Sequence, residues 1–494
     1  MKRALQTLLI AGITTLPLGL LAKEVSPVAV CDTVQGQLAE NSKAVGILGR
    51  GATGFIVSED GLVLSACHVV ESKSNIEYPF LLADGTKLKV KFLGANRETD
   101  VALFKVIDVP EGGLPFVELS DKAVSHDEYC YAIGYPGGAK HSQLRLGMVR
   151  YFTKEGEKNL AIAADAFIQP GDSGCPLFNA EGKVIGICSN IPHFLNTNRY
   201  ATMDMYFRDR EKLLKLDGKI MGQKGVGIMA PLQLKPDQAL LTKITDEFQR
   251  RCGLRYRYAQ LEVERRNGSI DTQGVLEHFN CELMAYIADE PVTLGADDPA
   301  VHKLLPNLPE NGILPIQTQG KQASCLLPCG DGIGIMRLDR WDETTTIKTQ
   351  AGDVKLAKLA ELKNANLCLV KMPDLNGDFV WPKSVESVKQ GDMLVTYLNA
   401  VDKDWGVVTS DQKQDIKISK GWIHDAKLLS AKCQMKEIIT HDIDLFAKDA
   451  CTPVYNKDGL FVGIHFHRKS RTIGYIMPAA DLQAYVTELT KLAN

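Results

Sequence analysis

Apolar residues along this chain gather in short runs separated by glycine, aspartate and proline, a pattern that predicts strands joined by tight turns. Gly51-Ala52-Thr53-Gly54-Phe55-Ile56-Val57 and the run that follows Asp60-Gly61 form two such strands around an Asp-Gly turn. The second run ends at Ser65-Ala66-Cys67-His68-Val69-Val70. Another apolar strand, Val101-Ala102-Leu103-Phe104-Lys105-Val106, opens directly after Thr99-Asp100. Helix-like segments are read at 207–216, 236–251, 275–288 and 480–492. The second of these opens at Pro236-Asp237 and is closed by Gly253.

The same pattern recurs. Leu367-Cys368-Leu369-Val370-Lys371-Met372 matches 101–106, and Asp449-Ala450-Cys451-Thr452-Pro453-Val454-Tyr455-Asn456 matches 172–179. Both copies continue through an apolar strand, 184–187 against 461–464, and close with a helical segment. The expected organisation is a signal segment at 1–22, a first β domain at 27–216, a partly helical connector at 217–305 and a second β domain at 306–494.

The chemistry concentrates in the first copy. Ile168-Gln169-Pro170-Gly171-Asp172-Ser173-Gly174-Cys175-Pro176-Leu177 sets a serine on a glycine-flanked turn before an apolar strand. A serine hydroxyl attacks poorly at neutral pH, so it needs a base beside it and donors ready for the oxyanion. Gly171 can take backbone angles closed to other residues, aiming its N–H and that of Ser173 at one point. His68, at the end of its strand, is a candidate base, and Asp100, at the mouth of the next, a candidate partner for the imidazole. At the corresponding positions of the second copy stand Ala450 and Asn366, and the stretch 334–352 contains no histidine. An alanine cannot attack a carbonyl, so the second copy is expected to be inert by this route.

The order His, Asp, Ser in this context resembles the trypsin-like serine proteases, most closely the bacterial HtrA/DegP-type branch. Further matches are Asp165-Ala166-Phe167-Ile168-Gln169-Pro170 before the serine, Ala132-Ile133-Gly134-Tyr135-Pro136 in mid-domain and Gly182-Lys183-Val184-Ile185-Gly186-Ile187 after it. The likeness covers roughly residues 40–216. It implies a mainly β fold of two trypsin-like double β-barrel domains, the second degenerate, joined by a partly helical connector. It also implies a catalytic triad of His68, Asp100 and Ser173, oxyanion donors on Gly171 and Ser173, protein or peptide substrates, and no metal or organic cofactor. The dead copy would then bind substrate or restrain the active one. The alternative is a non-hydrolytic, protein-binding or chaperone-like pseudoprotease, in which Cys175 or a closed loop has silenced the first copy as well.

Two positions depart from the family. Cys175 replaces a second glycine after the serine, adding a side chain at a crowded spot. Phe167, six residues before Ser173, puts no acid where the family's pocket floor lies, which points to a small or medium apolar residue before the scissile bond rather than Lys or Arg. Nothing near the C-terminus suggests a PDZ module.

Composition narrows the setting. The chain has 494 residues, 45% of them apolar, and a formal charge of -3, with no basic block or basic–aromatic stripe of the kind that follows nucleic acid. Lys2 and Arg3 precede a mostly apolar stretch, 4–21, with Ala22 as candidate cleavage residue: an export signal, with a periplasmic or secreted destination. Pro17, Gln6, Thr14 and Thr15 weigh against a membrane span; Leu20, which is not small, leaves an uncut anchor open. All twelve cysteines follow that segment, permitting six disulfides in an oxidising compartment, although Cys67, Cys188 and Cys368 sit in apolar strands that also suit free thiols. His465 and His467 share a strand face but have no visible third metal ligand.

Overall fold

The computed structural model describes residues 26–70, 77–125, 128–155, 158–164, 166, 168–190, 198–224, 227–229, 303–308, 314–318, 321–330, 332–349, 352–372, 381, 383–397, 403–410, 438–443, 445, 449–468 and 474–494. The expected signal segment, the two helices expected at 236–251 and 275–288, and Phe167 lie outside them.

A helix, α1 (Pro27–Lys43), precedes six strands: β1 (Val45–Leu48), β2 (Ala52–Ile56), β3 (Leu62–Ala66), β4 (Glu77–Leu82), β5 (Lys87–Asn96) and β6 (Val101–Val106). They run in the order β5-β4-β1-β2-β3-β6, and β6 pairs back onto β5, closing a ring. The two runs read around Asp60-Gly61 are β2 and β3, paired antiparallel with Phe55 opposite Leu64. Val63, Leu64, Leu103 and Phe104 are fully buried, which explains the near-continuous apolar character of β3 and β6.

The second barrel is built from β7 (Tyr129–Gly134), β8 (Gln143–Glu155), β9 (Lys158–Ala164), β10 (Pro176–Asn179), β11 (Val184–Asn190) and β12 (Asn198–Thr202), closed in the order β10-β11-β12-β9-β8-β7. The helix expected at 207–216 is α2 (Met203–Leu214). The first unit does not stop there. A short strand, β13 (Lys219–Met221), pairs parallel with β5, and Ile228 N–H donates to the Glu98 carbonyl at 2.8 Å. These backbone bonds stitch the segment after residue 216, the end expected for the first domain, to the first barrel.

The second unit repeats the plan. Its first sheet holds β14 (Leu314–Thr318), β15 (Lys321–Gly330), β16 (Ile333–Arg337), β17 (Thr346–Thr349), β18 (Gly352–Lys355), β19 (Ala357–Leu362) and β20 (Leu367–Lys371), in the order β18-β17-β14-β15-β16-β20-β19. Only Leu356 separates β18 from β19, so the two act as one bent strand that completes the circuit. A closed barrel follows, made of β21 (Met393–Tyr397), β22 (Lys403–Ser410), β23 (Ile439–His441), β24 (Pro453–Asn456), β25 (Phe461–Arg468) and β26 (Gly474–Pro478). Helix α3 (Ala479–Ala493) ends the chain. The fold is mainly β, in trypsin-like double barrels, with helices at the ends of the units.

Nine cysteines among the described residues, Cys67, Cys188 and Cys368 included, are free thiols, and eight of the nine are buried. No helix among the described residues is long and apolar enough to cross a membrane.

Candidate active site

Antiparallel pairing of β3 with β6 sets Ala66 opposite Val101, so the residues just beyond those ends meet. His68 lies in a single 3-10 turn, Cys67–Val69, and Asp100 takes a left-handed backbone conformation (φ 55°), which the short side chain of aspartate tolerates. Cys67 N–H donates to the Asp100 carbonyl (2.9 Å) and His68 N–H to Asp100 Oδ1 (2.9 Å), locking the turn onto the acid. Asp100 Oδ2 faces His68 Nδ1 at 2.8 Å and accepts a further bond from Ser189 Oγ at 2.5 Å. The carboxylate is buried, while about a third of the imidazole side chain (34%) reaches solvent. Burial pulls the imidazole pKa down, but the hydrogen bond and charge of Asp100 outweigh it and hold the pKa above the ordinary 6.5.

Ser173 comes from the other barrel, and His68 Nε2 lies 2.8 Å from its Oγ. The serine turn is tied down on every side. Asp172 N–H donates to the Gln169 carbonyl (3.0 Å), Cys175 N–H to the Asp172 carbonyl (2.8 Å) and Gly174 N–H to the Cys188 carbonyl (2.9 Å). Thr53 on β2 reaches across from the first barrel: its N–H donates to the Ser173 carbonyl (2.9 Å) and its hydroxyl to the Gly171 carbonyl (2.9 Å). Gly171 has φ 104°, and a Cβ there would lie 2.6 Å from the Tyr135 carbonyl oxygen, so only glycine fits. Among the described residues the N–H groups of Gly171 and Ser173 donate to no acceptor, leaving both free for a developing oxyanion.

Beneath the turn lies an ion pair that sequence reasoning did not anticipate. Arg145 on β8 sets Nη2 at 2.6 Å from Asp172 Oδ1, with both side chains fully buried. Gly134 on β7 makes room, since a Cβ there would come within 2.4 Å of that same oxygen. Asp172 Oδ2 accepts the Gln169 N–H (3.0 Å) and Arg145 Nη1 donates to the Gln143 carbonyl (2.8 Å). Burial disfavours the guanidinium charge, but the Asp172 carboxylate beside it outweighs this and raises the Arg145 pKa. An aspartate next to the candidate nucleophile was the available signal. Nothing local identified its cation, or Ser189 and Thr53.

Cys175 is fully buried, among Cys130, Ile168, Leu177, Cys188 and Tyr200. Its side chain fills the core of the second barrel and stays out of the cleft.

The second unit reproduces the scaffold with other side chains. Asn366 has φ 52°, accepts the Leu338 N–H on its carbonyl (2.9 Å) and the Asp339 N–H on Oδ1 (3.1 Å), as Asp100 does for Cys67 and His68. Asp339 thus occupies the imidazole's place, held by Asn366 Nδ2 (2.9 Å) and by two bonds from the buried Arg337 (2.8 and 2.7 Å). Ala450 sits where Ser173 does, its carbonyl accepting the Cys325 N–H at 3.0 Å. His465 Nδ1 faces His441 Nε2 at 3.0 Å, and burial, with Arg337 nearby, lowers the His467 pKa to about 4. Among the described residues no cluster of three or more His, Cys, Asp or Glu is arranged to hold a metal.

Comparison with known proteins agrees with the first unit. Residues 52–187 match the family model described as a trypsin-like peptidase domain. The chain is 38% identical over 143 residues to a probable periplasmic serine endoprotease DegP-like of Halomonas elongata, covering 28% of this chain and 29% of that relative. It is 39% identical over 182 residues to a DegP-like relative of Ectopseudomonas mendocina, covering 34% and 36%. Among solved structures it is similar to the serine endoprotease from Yersinia pestis, with 22% identity and a TM-score of 0.33 over 40% of this chain and 70% of that one. The chain spans about a third of the length of these curated relatives. The first unit carries a trypsin-like peptidase domain similar to those of HtrA/DegP-type serine proteases.

Proposed function

We propose that this chain is an exported serine endopeptidase acting through the first unit. The observation that carries the reading is the unbroken relay from Asp100 Oδ2 through His68 to Ser173 Oγ, with both contacts at 2.8 Å. In this mechanism Ser173 Oγ attacks the scissile carbonyl while His68 Nε2 takes its proton, and His68 then returns that proton to the departing amine. The acyl-enzyme so formed is hydrolysed by a water that His68 activates in turn. Asp100 fixes the tautomer with the proton on Nδ1 and stabilises the imidazolium, and the N–H groups of Gly171 and Ser173 receive the tetrahedral oxyanion. The second unit hydrolyses nothing by this route, since Ala450 has no hydroxyl. Export to the periplasm is supported by the basic–apolar N-terminal stretch and by the names of the relatives.

The test is a fluorophosphonate probe with peptide mapping, run beside casein cleavage. Covalent label on Ser173 and proteolysis are expected. A folded chain that does neither would overturn the reading and favour a binding protein.

The raised His68 pKa sets the pH dependence. Only the neutral imidazole accepts the serine proton, so kcat/KM should fall as pH drops through a midpoint above 6.5, and Asp100→Asn should move that midpoint down. Stability runs the other way: the imidazolium–carboxylate contribution is full below the unfolded value near 6.5 and is lost as pH rises through the higher folded value. A pH–rate profile flat between about pH 5.5 and 8 would contradict an essential imidazole.

A further inference from the structure

Strand β8 carries two different attachments on consecutive residues. From Gln143 to Met148 it pairs with β7 on one side, whereas its pairing with β9 on the other side begins only at Val149. The second unit lies against the edge left over. Asp442, buried and just past β23, accepts the Val407 N–H of β22 on Oδ1 (2.7 Å) and the Leu146 N–H of β8 on Oδ2 (3.1 Å). Gln390 bridges the same seam, donating through Nε2 to the Thr409 carbonyl (2.7 Å) and the Ser142 carbonyl (3.2 Å). The rings of Tyr129 and Trp405 meet there with centroids 6.1 Å apart.

Leu146 follows Arg145. At this one place the backbone N–H points out to a carboxylate of the second unit, while the preceding side chain points in to the aspartate next to Ser173. A carboxylate that accepts from one strand of each barrel fixes their separation, because each of its oxygens has its own donor.

We propose that Asp442 is a positioning residue for the active site: the second unit holds β8 at Leu146, and β8 holds the Ser173 turn through Arg145 and Asp172. This rests on the protease reading of the first unit and gives the inert copy a part in catalysis without chemistry of its own. Asparagine at 442 keeps the size but presents an amide NH2 to one of the two N–H donors, so the seam at β8 or β22 loses its acceptor. Catalysis is sensitive to small displacements of oxyanion donors, and a shift here acts on turnover rather than on ground-state binding.

The experiment uses the full chain and compares Asp442→Asn with Lys457→Ala. Lys457 makes its ion pair between the units to Asp32 of α1 (2.6 Å) rather than to β8. Asp442→Asn is expected to lower kcat on a peptide substrate, and the rate of fluorophosphonate labelling, roughly ten- to hundredfold with KM nearly unchanged. Lys457→Ala should leave both rates as they are. Equal rates for wild type and Asp442→Asn, or equal losses in the two variants, would overturn the proposal. A wild-type chain that takes no label would instead overturn the protease reading. Should Asp442→Asn fail to fold, Gln390→Ala releases the same edge at Ser142 and is expected to lower kcat severalfold, and an unchanged kcat there would equally overturn the proposal.

Discussion

Replacing Ser173 with alanine is expected to lower kcat on a peptide substrate by about six orders of magnitude, the scale seen when a serine nucleophile is removed from a triad. His68→Ala should cost nearly as much, and the double variant little more than either alone, because the hydroxyl is useful only while the imidazole takes its proton. Asp100→Asn should cost about 10⁴, since a carboxamide can present its NH2 to Nδ1 and stabilise the wrong tautomer, with the proton on Nε2 facing Ser173. Residual catalysis of about 10³–10⁴ over water should survive in the Ser173 and His68 variants, supplied by the N–H groups of Gly171 and Ser173 and by substrate binding. Single-turnover and steady-state rates on one peptide across the four variants check the pattern. Independent, additive losses would show that the three side chains do not act as a unit, whatever their spacing of 2.8 Å.

The chain carries its own control for this. In the second unit the site of Asp100 is already asparagine and that of Ser173 already alanine, on a backbone with nearly the same left-handed angle at Asn366 (52°) as at Asp100 (55°). That the scaffold persists without its chemistry shows how little of the fold depends on the triad side chains. Asp339 and Arg337 fill the vacated polar space with a charged pair of their own, linked by bonds of 2.8 and 2.7 Å.

What could be read from the sequence was local. Gly171, Asp172 and Ser173 sit on one turn, His68 and Asp100 end or begin apolar runs, and the second copy keeps the register of its strands, so each could be located from neighbours a few positions away. What escaped was the set of groups that act across sequence distance. Ser189 reaches Asp100 from 89 positions away and Thr53 reaches Gly171 from 118. A threonine in a β-rich run has no local mark that distinguishes a bridge between barrels from an ordinary strand residue. The same holds for Cys175, whose added side chain the sequence places at a crowded spot beside the serine without saying which way it points. Whether its side chain faces the cleft or the core depends on how β10 leaves the turn, and β10 turns it inward. The attachment of β13 also went unread, because that strand is only three residues long and its partner, β5, ends more than a hundred residues earlier.

Arg145 is where this non-local organisation should show its largest effect on stability. Arg145→Met keeps an apolar stem in the barrel but leaves the Asp172 carboxylate fully buried without its cation, and stranding one member of a buried pair costs about 3–5 kcal/mol. Denaturant unfolding of the variant should register that loss, and labelling of Ser173 should slow because the turn is no longer drawn toward β8. Adding Asp172→Asn separates the two consequences. The neutral amide removes the stranded charge, and its carbonyl can still accept the Gln169 N–H, so most of the stability should return. Turnover should not, because asparagine opposite methionine restores no tether between the turn and β8. If the double variant recovered the wild-type rate together with its stability, the ion pair would matter only as compensation for its own burial, and the geometry of the Ser173 turn would have to come from Thr53 and the backbone bonds around it.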